Sequence, residues 1–222
     1  MFTLHALLAT ALYLVDLLLL VPKYTKSKYD HTPRKKRLVW KGFCIGVPFL
    51  VLTLYSCFRA AAGEATLINW LLVAAMFFCG AGDIILEIRF IKGGFLFFTG
   101  HILYVITLFI LQDGVSVIAI AVYAVLAGLG TYLTCTRLSE KYRFLLIGYN
   151  LAISGSFALS IPLILTGEPA FVLVGTGACF LAVSDWVLAR NRTYGSTYGW
   201  YLLSLLFYFG GQVLISTYPF LQ

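Results

Sequence analysis

Six ionisable side chains lie inside long apolar runs of this sequence: Asp16, Lys41, Asp83, Glu87, His101 and Asp185. A charge at the centre of a bilayer costs at least about 2.5–3.5 kcal/mol on insertion scales. Such side chains therefore face the interior of a helix bundle or water. Their residue types are those that transfer protons, so they are the first candidates for chemistry.

Asp83 and Asp185 are the strongest candidates for acid and base catalysis. Two carboxyl groups that meet in a low dielectric cannot both ionise cheaply, so one of them keeps a proton near neutral pH. His101 is the single histidine placed well inside a run. We expect it to orient one carboxyl group or to carry a proton. The alternative for the two aspartates is that they only join helices by hydrogen bonds, and the alternative for His101 is that it only packs within the bundle.

Other polar residues accompany these three at similar depth. Glu87 follows Asp83 by four positions, which puts both on one face of a helix. Glu87 can alternatively pair with a nearby base, and the stem of Lys41 can alternatively extend its charge to the membrane surface. The residues that we expect to line a substrate pocket are Lys41, Glu87, Tyr104, Asn150, Tyr208 and Gln212.

The elements that carry these residues are long and apolar. Of the 222 residues 61% are hydrophobic and only 11% are charged, against about 25% charged in soluble domains. The mean hydropathy is +0.92, which excludes a soluble domain. The runs do not alternate apolar and polar residues, as barrel strands do, and each approaches the roughly 20 residues that cross a bilayer. They lie near 2–22, 39–58, 66–88, 95–111, 116–135, 144–165, 170–189 and 198–217. The sequence therefore predicts one all-α integral-membrane domain over residues 1–222, built as a bundle of eight transmembrane helices.

The basic residues predict the orientation of this bundle. Fourteen of the 16 Lys and Arg residues lie in the first, third, fifth and seventh loops, among them Lys141. The positive-inside rule then places these loops in the cytoplasm and both termini outside. Basic residues follow the first run rather than precede it, so we expect a retained helix and not a signal peptide. A bacterial cytoplasmic membrane is the preferred location, with the endoplasmic reticulum as the alternative.

On this topology the embedded ionisable residues all fall in the cytoplasmic half of the bundle. A polar cavity that opens towards the cytoplasm is the simplest account of that bias. The net charge of +7 belongs to loops, so we expect no nucleic acid as a partner. The segment 77–83 also recurs in outline at 179–185, and each copy ends in aspartate. Two four-helix halves in parallel orientation would explain the repeat.

An ordered set of short motifs resembles the YhhN family, which includes the eukaryotic transmembrane protein 86 enzymes. The set is Lys41, Gly82-Asp83, Gly100-His101-x-x-Tyr104, Ser184-Asp185-x-x-Leu188 and Tyr208-x-x-x-Gln212. The resemblance implies a lysoplasmalogenase with eight helices, which hydrolyses the vinyl ether bond of a lysoplasmalogen. The products are a fatty aldehyde and glycerophosphoethanolamine or glycerophosphocholine. By the same resemblance the two aspartates are the catalytic carboxyl groups, and the partners are a lysophospholipid substrate and membrane lipids.

Two other functions fit the same residues. Buried carboxylates in a repeated bundle also suit a proton-coupled transporter of a small molecule or lipid. A metal-dependent hydrolase of lipid esters or amides ranks third, because a single embedded histidine does not form a histidine-rich zinc site. We therefore expect neither a metal nor a cofactor at the site. Headgroup preference and oligomeric state are left open by the sequence.

Overall fold

Every predicted apolar run forms a helix in the computed structural model, which describes residues 2–112, 114–137 and 143–221. A helix pairs its backbone N–H and C=O groups with one another, whereas lipid offers these groups no hydrogen-bond partners. The helices are α1 (Phe2–Val15), α2 (Val21–Tyr29), α3 (Arg34–Ala61), α4 (Leu67–Leu86), α5 (Phe90–Leu111), α6 (Val117–Arg137), α7 (Arg143–Leu165), α8 (Pro169–Tyr194) and α9 (Tyr198–Ser216). A π-helical turn, Asp16–Leu20, joins α1 to α2, and no strand occurs among the described residues.

The all-helical prediction is confirmed, with changes at the helix boundaries. Seven helical segments are long and apolar enough to cross a membrane, and Val117–Leu133 within α6 is a shorter apolar helix. The fourth run, predicted as the shortest, begins earlier than expected, at Phe90. Lys141 of the predicted fifth loop lies outside the described residues. The orientation of the loops and termini stays a prediction.

The prediction that residues 23–38 form a basic loop is wrong. The first helix continues to Tyr29 and the next begins at Arg34, so only residues 30–33 connect them. The hydropathy pattern ends where charged residues begin, although a helix can extend beyond the apolar core. The consequence for the site is that Lys28 and Arg37 occupy fixed helical positions instead of a free loop.

Six helices form a closed ring in the order α3, α4, α5, α7, α8, α9. The α1–α2 segment packs against α3 and α9 from outside, and α6 packs against α7. The largest buried cluster of apolar side chains fills the ring and includes Leu72, Leu108, Leu181 and Phe209. The ring therefore has an interior to which each of its helices can contribute a side chain.

Glycines bring two helix pairs of the ring into close contact. A Cβ added to Gly82 of α4 would lie 2.7 Å from the backbone nitrogen of Phe97 in α5. In the second pair a Cβ on Gly177 of α8 would lie 2.8 Å from the carbonyl oxygen of Gly211 in α9, and the reverse distance is 2.7 Å. Asp83 directly follows Gly82 on α4, whereas Gly177 precedes Asp185 by eight positions and lies outside the repeat segment 179–185. Each aspartate is thus carried by the first helix of a glycine-packed hairpin.

Adding one methyl group at the α8–α9 contact is expected to lower the stability of the protein considerably. In Gly211→Ala the new methyl group meets a backbone carbonyl, which cannot move aside as a side chain can. We expect a loss of about 1–3 kcal/mol in the free energy of unfolding. Gly46→Ala is the matched control, because nothing lies within 4 Å of a Cβ there. It is expected to be neutral or to gain up to about 1 kcal/mol from helix propensity. Denaturant unfolding in detergent measures both, and equal stability of the two variants would contradict this account.

Candidate active site

Lys41 of α3 holds the carboxyl-terminal end of α4. Its Nζ lies 2.7 Å from Oδ1 of Asp83 and donates a 2.8 Å hydrogen bond to the backbone oxygen of the same residue. That carbonyl lies in the last turn of α4, where carbonyls lack partners within the helix. A cation there also interacts favourably with the helix dipole. Lys41 is 3% exposed, so its charge and that of Asp83 compensate each other inside the bundle.

Glu87 extends this cluster towards the end of the bundle. Lys41 also donates to Oε1 of Glu87 at 3.4 Å, and the Tyr24 hydroxyl donates to the same oxygen at 3.1 Å. Lys28 and Arg37 lie 3.5 Å from the two oxygens of the carboxylate. Burial alone would raise the pKa of Glu87, but Lys41, Lys28, the Tyr24 hydroxyl and Arg37 together lower this pKa to about 2. Glu87 is therefore ionised at neutral pH, and we call Tyr24, Lys41, Asp83 and Glu87 the lysine cluster.

The second carboxyl group has a histidine as its partner. Nε2 of His101, on α5, lies 3.1 Å from Oδ2 of Asp185, on α8. Both side chains are almost completely buried, at 2% and 4% exposure. Tyr149 of α7 lies next to the Asp185 carboxylate, and its ring meets the imidazole edge to face with 5.4 Å between ring centroids. We call His101 and Asp185 the histidine pair.

Aromatic rings form a wall beside the histidine pair and the lysine cluster. Phe97 stacks on Tyr208 with 5.8 Å between ring centroids and lies 5.4 Å from the His101 ring. Tyr208 is close enough to interact electrostatically with both Asp83 and Asp185. Both carboxylates therefore lie near one tyrosine in an aromatic part of the interior.

Four polar atoms in this region are buried and make no hydrogen bond of ordinary geometry to a described residue. They are Oδ2 of Asp83, Nδ1 of His101, Oδ2 of Asp185 and the hydroxyl of Tyr208. Unsatisfied buried polar atoms are rare and costly in native proteins. Since all four lie next to the same aromatic wall, they mark the place where a polar group of a substrate or a water molecule would bind.

The positions of Asp185 and the α9 side chains are fixed by hydrogen bonds between helices. The Ser184 hydroxyl donates to the backbone oxygen of Ser204 at 2.9 Å, and the Ser204 hydroxyl donates back at 3.2 Å. Further along α9, Oε1 of Gln212 accepts a 2.9 Å hydrogen bond from the Tyr104 hydroxyl of α5. These bonds set the register of α8 and α9, and so the position of Asp185 relative to His101.

The comparisons with known proteins add one finding to this geometry. A model of the YhhN family matches residues 37–218. This chain belongs to the YhhN family. No curated protein and no solved structure matches it significantly.

The match to the YhhN family covers the ring of helices and both aspartates, and it begins after Tyr24 and Asp16. Its limits separate the site into a part that the family model describes and a part outside the match. Lys41, Asp83, His101 and Asp185 belong to the first part. Tyr24 and Lys28, which contact Glu87, belong to the second.

The structure brings most of the predicted site residues of this YhhN protein to the ring interior. Eight of them belong to the lysine cluster, to the histidine pair, to the aromatic wall or to the hydrogen bond between α5 and α9. They are Lys41, Asp83, Glu87, His101, Tyr104, Asp185, Tyr208 and Gln212. Asn150 instead lies on the side of α7 that faces α6, where its amide donates to the backbone oxygen of Ala127 at 3.3 Å.

The structure adds a partner to each of the two candidate carboxyl groups. Lys41 contacts Asp83, and His101 contacts Asp185. Helix contacts decide which embedded base reaches which acid, and spacing along a sequence does not. That Asp83 and Asp185 act together at one site stays a prediction.

Three residues of the site were missed by the sequence reasoning. Tyr149 and Phe97 look like ordinary aromatic packing in apolar runs, and only the fold shows that they contact the histidine pair. Tyr24 fell in the segment that we interpreted as a loop. Its spacing of four positions from Lys28 is a helical signal that could have placed it.

Asp16 is a buried carboxyl group outside this constellation. It occupies the first position of the π-helical turn and is 0% exposed. Its carboxylate lies next to the Cys44 thiol, and neither of its oxygens makes a hydrogen bond of ordinary geometry to a described residue. The described residues contain no group of three or more His, Cys, Asp or Glu side chains arranged to hold a metal ion.

Proposed function

We propose that this YhhN protein is a lysoplasmalogenase, an intramembrane hydrolase of the vinyl ether bond of a lysoplasmalogen. The observation that carries the proposal is a pair of carboxylates that have different basic partners and lie near the same buried, unsatisfied polar atoms. The Asp83 carboxylate contacts the Lys41 ammonium group, and the Asp185 carboxylate contacts the imidazole of His101. Membership of the YhhN family supports a hydrolase of this kind.

The reaction requires one proton donor and one group that tolerates positive charge. Protonation of the β-carbon of the vinyl ether gives an oxocarbenium ion. Water adds to this ion and loses a proton, which gives a hemiacetal. The hemiacetal collapses to a fatty aldehyde and the free glycerol hydroxyl, so one water molecule is consumed overall.

The two pairs suit these two tasks. The histidine pair can hold one proton between Nε2 of His101 and Oδ2 of Asp185, and it is our candidate for the acid. The carboxylate of Asp83 has an unpaired Oδ2, which can stabilise the oxocarbenium ion and accept the proton of the attacking water. Lys41 contacts the carboxylate and the backbone oxygen of Asp83, so we assign it the role of positioning Asp83.

The test is hydrolysis of lysoplasmenylethanolamine by the purified protein in D₂O. Protonation of the β-carbon by an exchangeable acid places one deuterium on the carbon next to the aldehyde group. We expect aldehyde with a single deuterium at that carbon, detected by mass spectrometry. The saturated 1-alkyl analogue has no double bond to protonate and is expected to be inert.

Two results would contradict the proposal. Aldehyde without deuterium would rule out protonation by the exchangeable acid proposed here. No aldehyde from folded protein in several detergents and lipids would favour proton-coupled transport, which buried ion pairs within a membrane bundle also fit. Proton-driven uptake into vesicles without product would then support the transporter.

A further inference from the structure

A groove on the outside of the ring leads to the histidine pair. It lies between α6, α7 and α8 and has a volume of about 440 Å³, within the roughly 300–1,000 Å³ of small-molecule sites. Leu129, Leu133 and Ile153 give it apolar walls, while Tyr149 and Asp185 line its inner side. The same acid that contacts His101 thus borders this cavity.

The groove is open to the membrane because α6 is held by one neighbour. Among the described residues α6 packs on α7 and makes few contacts with any other helix. Leu129 and Leu133 are 55% and 47% exposed, so they lie between the groove and the surrounding lipid. An apolar chain can therefore enter from the side, without passing through water.

A basic residue borders the same groove near the end of α8. Arg190 follows Asp185 by five positions, which is about 7.5 Å along a helix. Its Nη1 donates to the backbone oxygen of Gly195 at 2.9 Å, and its guanidinium stacks on Trp200 at 4.4 Å. These contacts fix the side chain, and a guanidinium has five N–H donors, so it can still bind an anion. A fixed guanidinium is the preferred partner of a phosphate group.

We propose that the α6–α8 groove binds a lysophospholipid, with its single chain along Leu129 and Leu133 and its phosphate at Arg190. The assignment rests on the proposed hydrolase, for which it supplies the substrate site. A three-carbon glycerol separates the sn-1 ether oxygen from the phosphate ester. Asp185 and Arg190 both line the groove, so a lipid whose phosphate binds Arg190 places its ether bond at the histidine pair. One groove of this size accommodates one chain, which selects lysolipids over two-chain lipids.

The test of the chain site uses a ligand that is not hydrolysed. The probe is a saturated 1-alkyl lysophosphatidylethanolamine, and its binding to full-length protein in detergent is measured by equilibrium binding of the radiolabelled lipid. Leu129→Trp fills the groove with a larger side chain. Ile120→Trp is the matched control, because Ile120 is on the same helix with 56% exposure but lines a different apolar cavity between α5, α6 and α7. We expect binding at least about tenfold weaker in the first variant and unchanged in the control. Equal affinities would overturn the proposal.

The test of the phosphate site compares two ligands in one variant. Arg190→Gln is expected to weaken binding of the lysophospholipid by about tenfold or more. It should leave binding of the matching 1-alkylglycerol, which has no phosphate, unchanged. An equal loss for both ligands would overturn the phosphate contact, because it would show a general disturbance of the groove.

The binding tests and the hydrolase assay can contradict their two proposals independently of each other. If binding follows the expected pattern and no aldehyde is released from the vinyl ether lipid, the groove stands and the proposed hydrolase falls. If aldehyde is released and Leu129→Trp neither binds nor reacts differently from the control, the groove falls and the hydrolase stands.

Discussion

Replacing Asp185 with asparagine is expected to lower turnover of a lysoplasmalogen by about 10²–10⁴-fold, the contribution typical of a positioned general acid. Asparagine has nearly the same shape, and its amide oxygen can still accept a hydrogen bond. It cannot exchange a proton with His101. The variant therefore removes the proton donor while it keeps the packing of α5, α7 and α8.

The matched control for this variant is Asp16→Asn. Asp16 is as deeply buried as Asp185 and loses the same carboxylate, but it lies outside the family match and outside the histidine pair. We expect full activity from it. Initial rates of aldehyde release are compared at equal amounts of folded protein, checked by size-exclusion chromatography. Similar rates in the two variants would remove Asp185 from the mechanism.

His101→Gln gives a second readout that packing alone would not change. Glutamine can still form a hydrogen bond with Asp185, but it does not titrate. If the pair holds the transferred proton, the pH profile of kcat changes shape as well as height. A uniform reduction at every pH would instead assign His101 a purely structural contact.

The sequence predicted the helices better than the contacts between their side chains. Long apolar runs have few alternatives to helices in lipid, so an all-helical bundle whose helices carry Asp83 and Asp185 could be predicted. Which base meets which acid depends on the order of helices around the ring. That order and close contacts such as Gly177 with Gly211 are not recorded in a hydropathy pattern.

Asn150, beside the α6–α8 groove, is a second case in which the sequence did not predict a side-chain contact. Asn150 was predicted to line a pocket because it is polar and at the right depth. It does border a cavity with Asp185, yet its amide bonds to α6. Nothing in the spacing of residues along α7 distinguishes the face towards the ring from the face towards α6, because both faces are apolar.

Replacing Lys41 with methionine is expected to destabilise the bundle by about 3–5 kcal/mol, the usual cost of removing one partner from a buried ion pair. Methionine has a similar length and fills the same space, so little packing is lost. The Asp83 carboxylate then loses its ammonium partner inside the ring, and its backbone carbonyl loses a donor. Glu87 keeps Lys28 and Arg37, so most of the cost arises at Asp83.

The double variant Lys41→Met with Asp83→Asn distinguishes this cause from a general loss of packing. Asparagine removes the uncompensated charge, so the double variant should regain much of the stability that Lys41→Met alone has lost. The two substitutions are therefore expected to be strongly non-additive, as for residues in contact. Activity should stay lost, because the carboxylate that stabilises the oxocarbenium ion is gone. Lys26→Met serves as the control at an exposed position of α2 and should change stability little. Denaturant unfolding of the unmodified protein, Lys41→Met, Asp83→Asn and the double variant in one detergent measures this cycle. Additive losses of stability would show that Lys41 supports the fold by packing and not by charge.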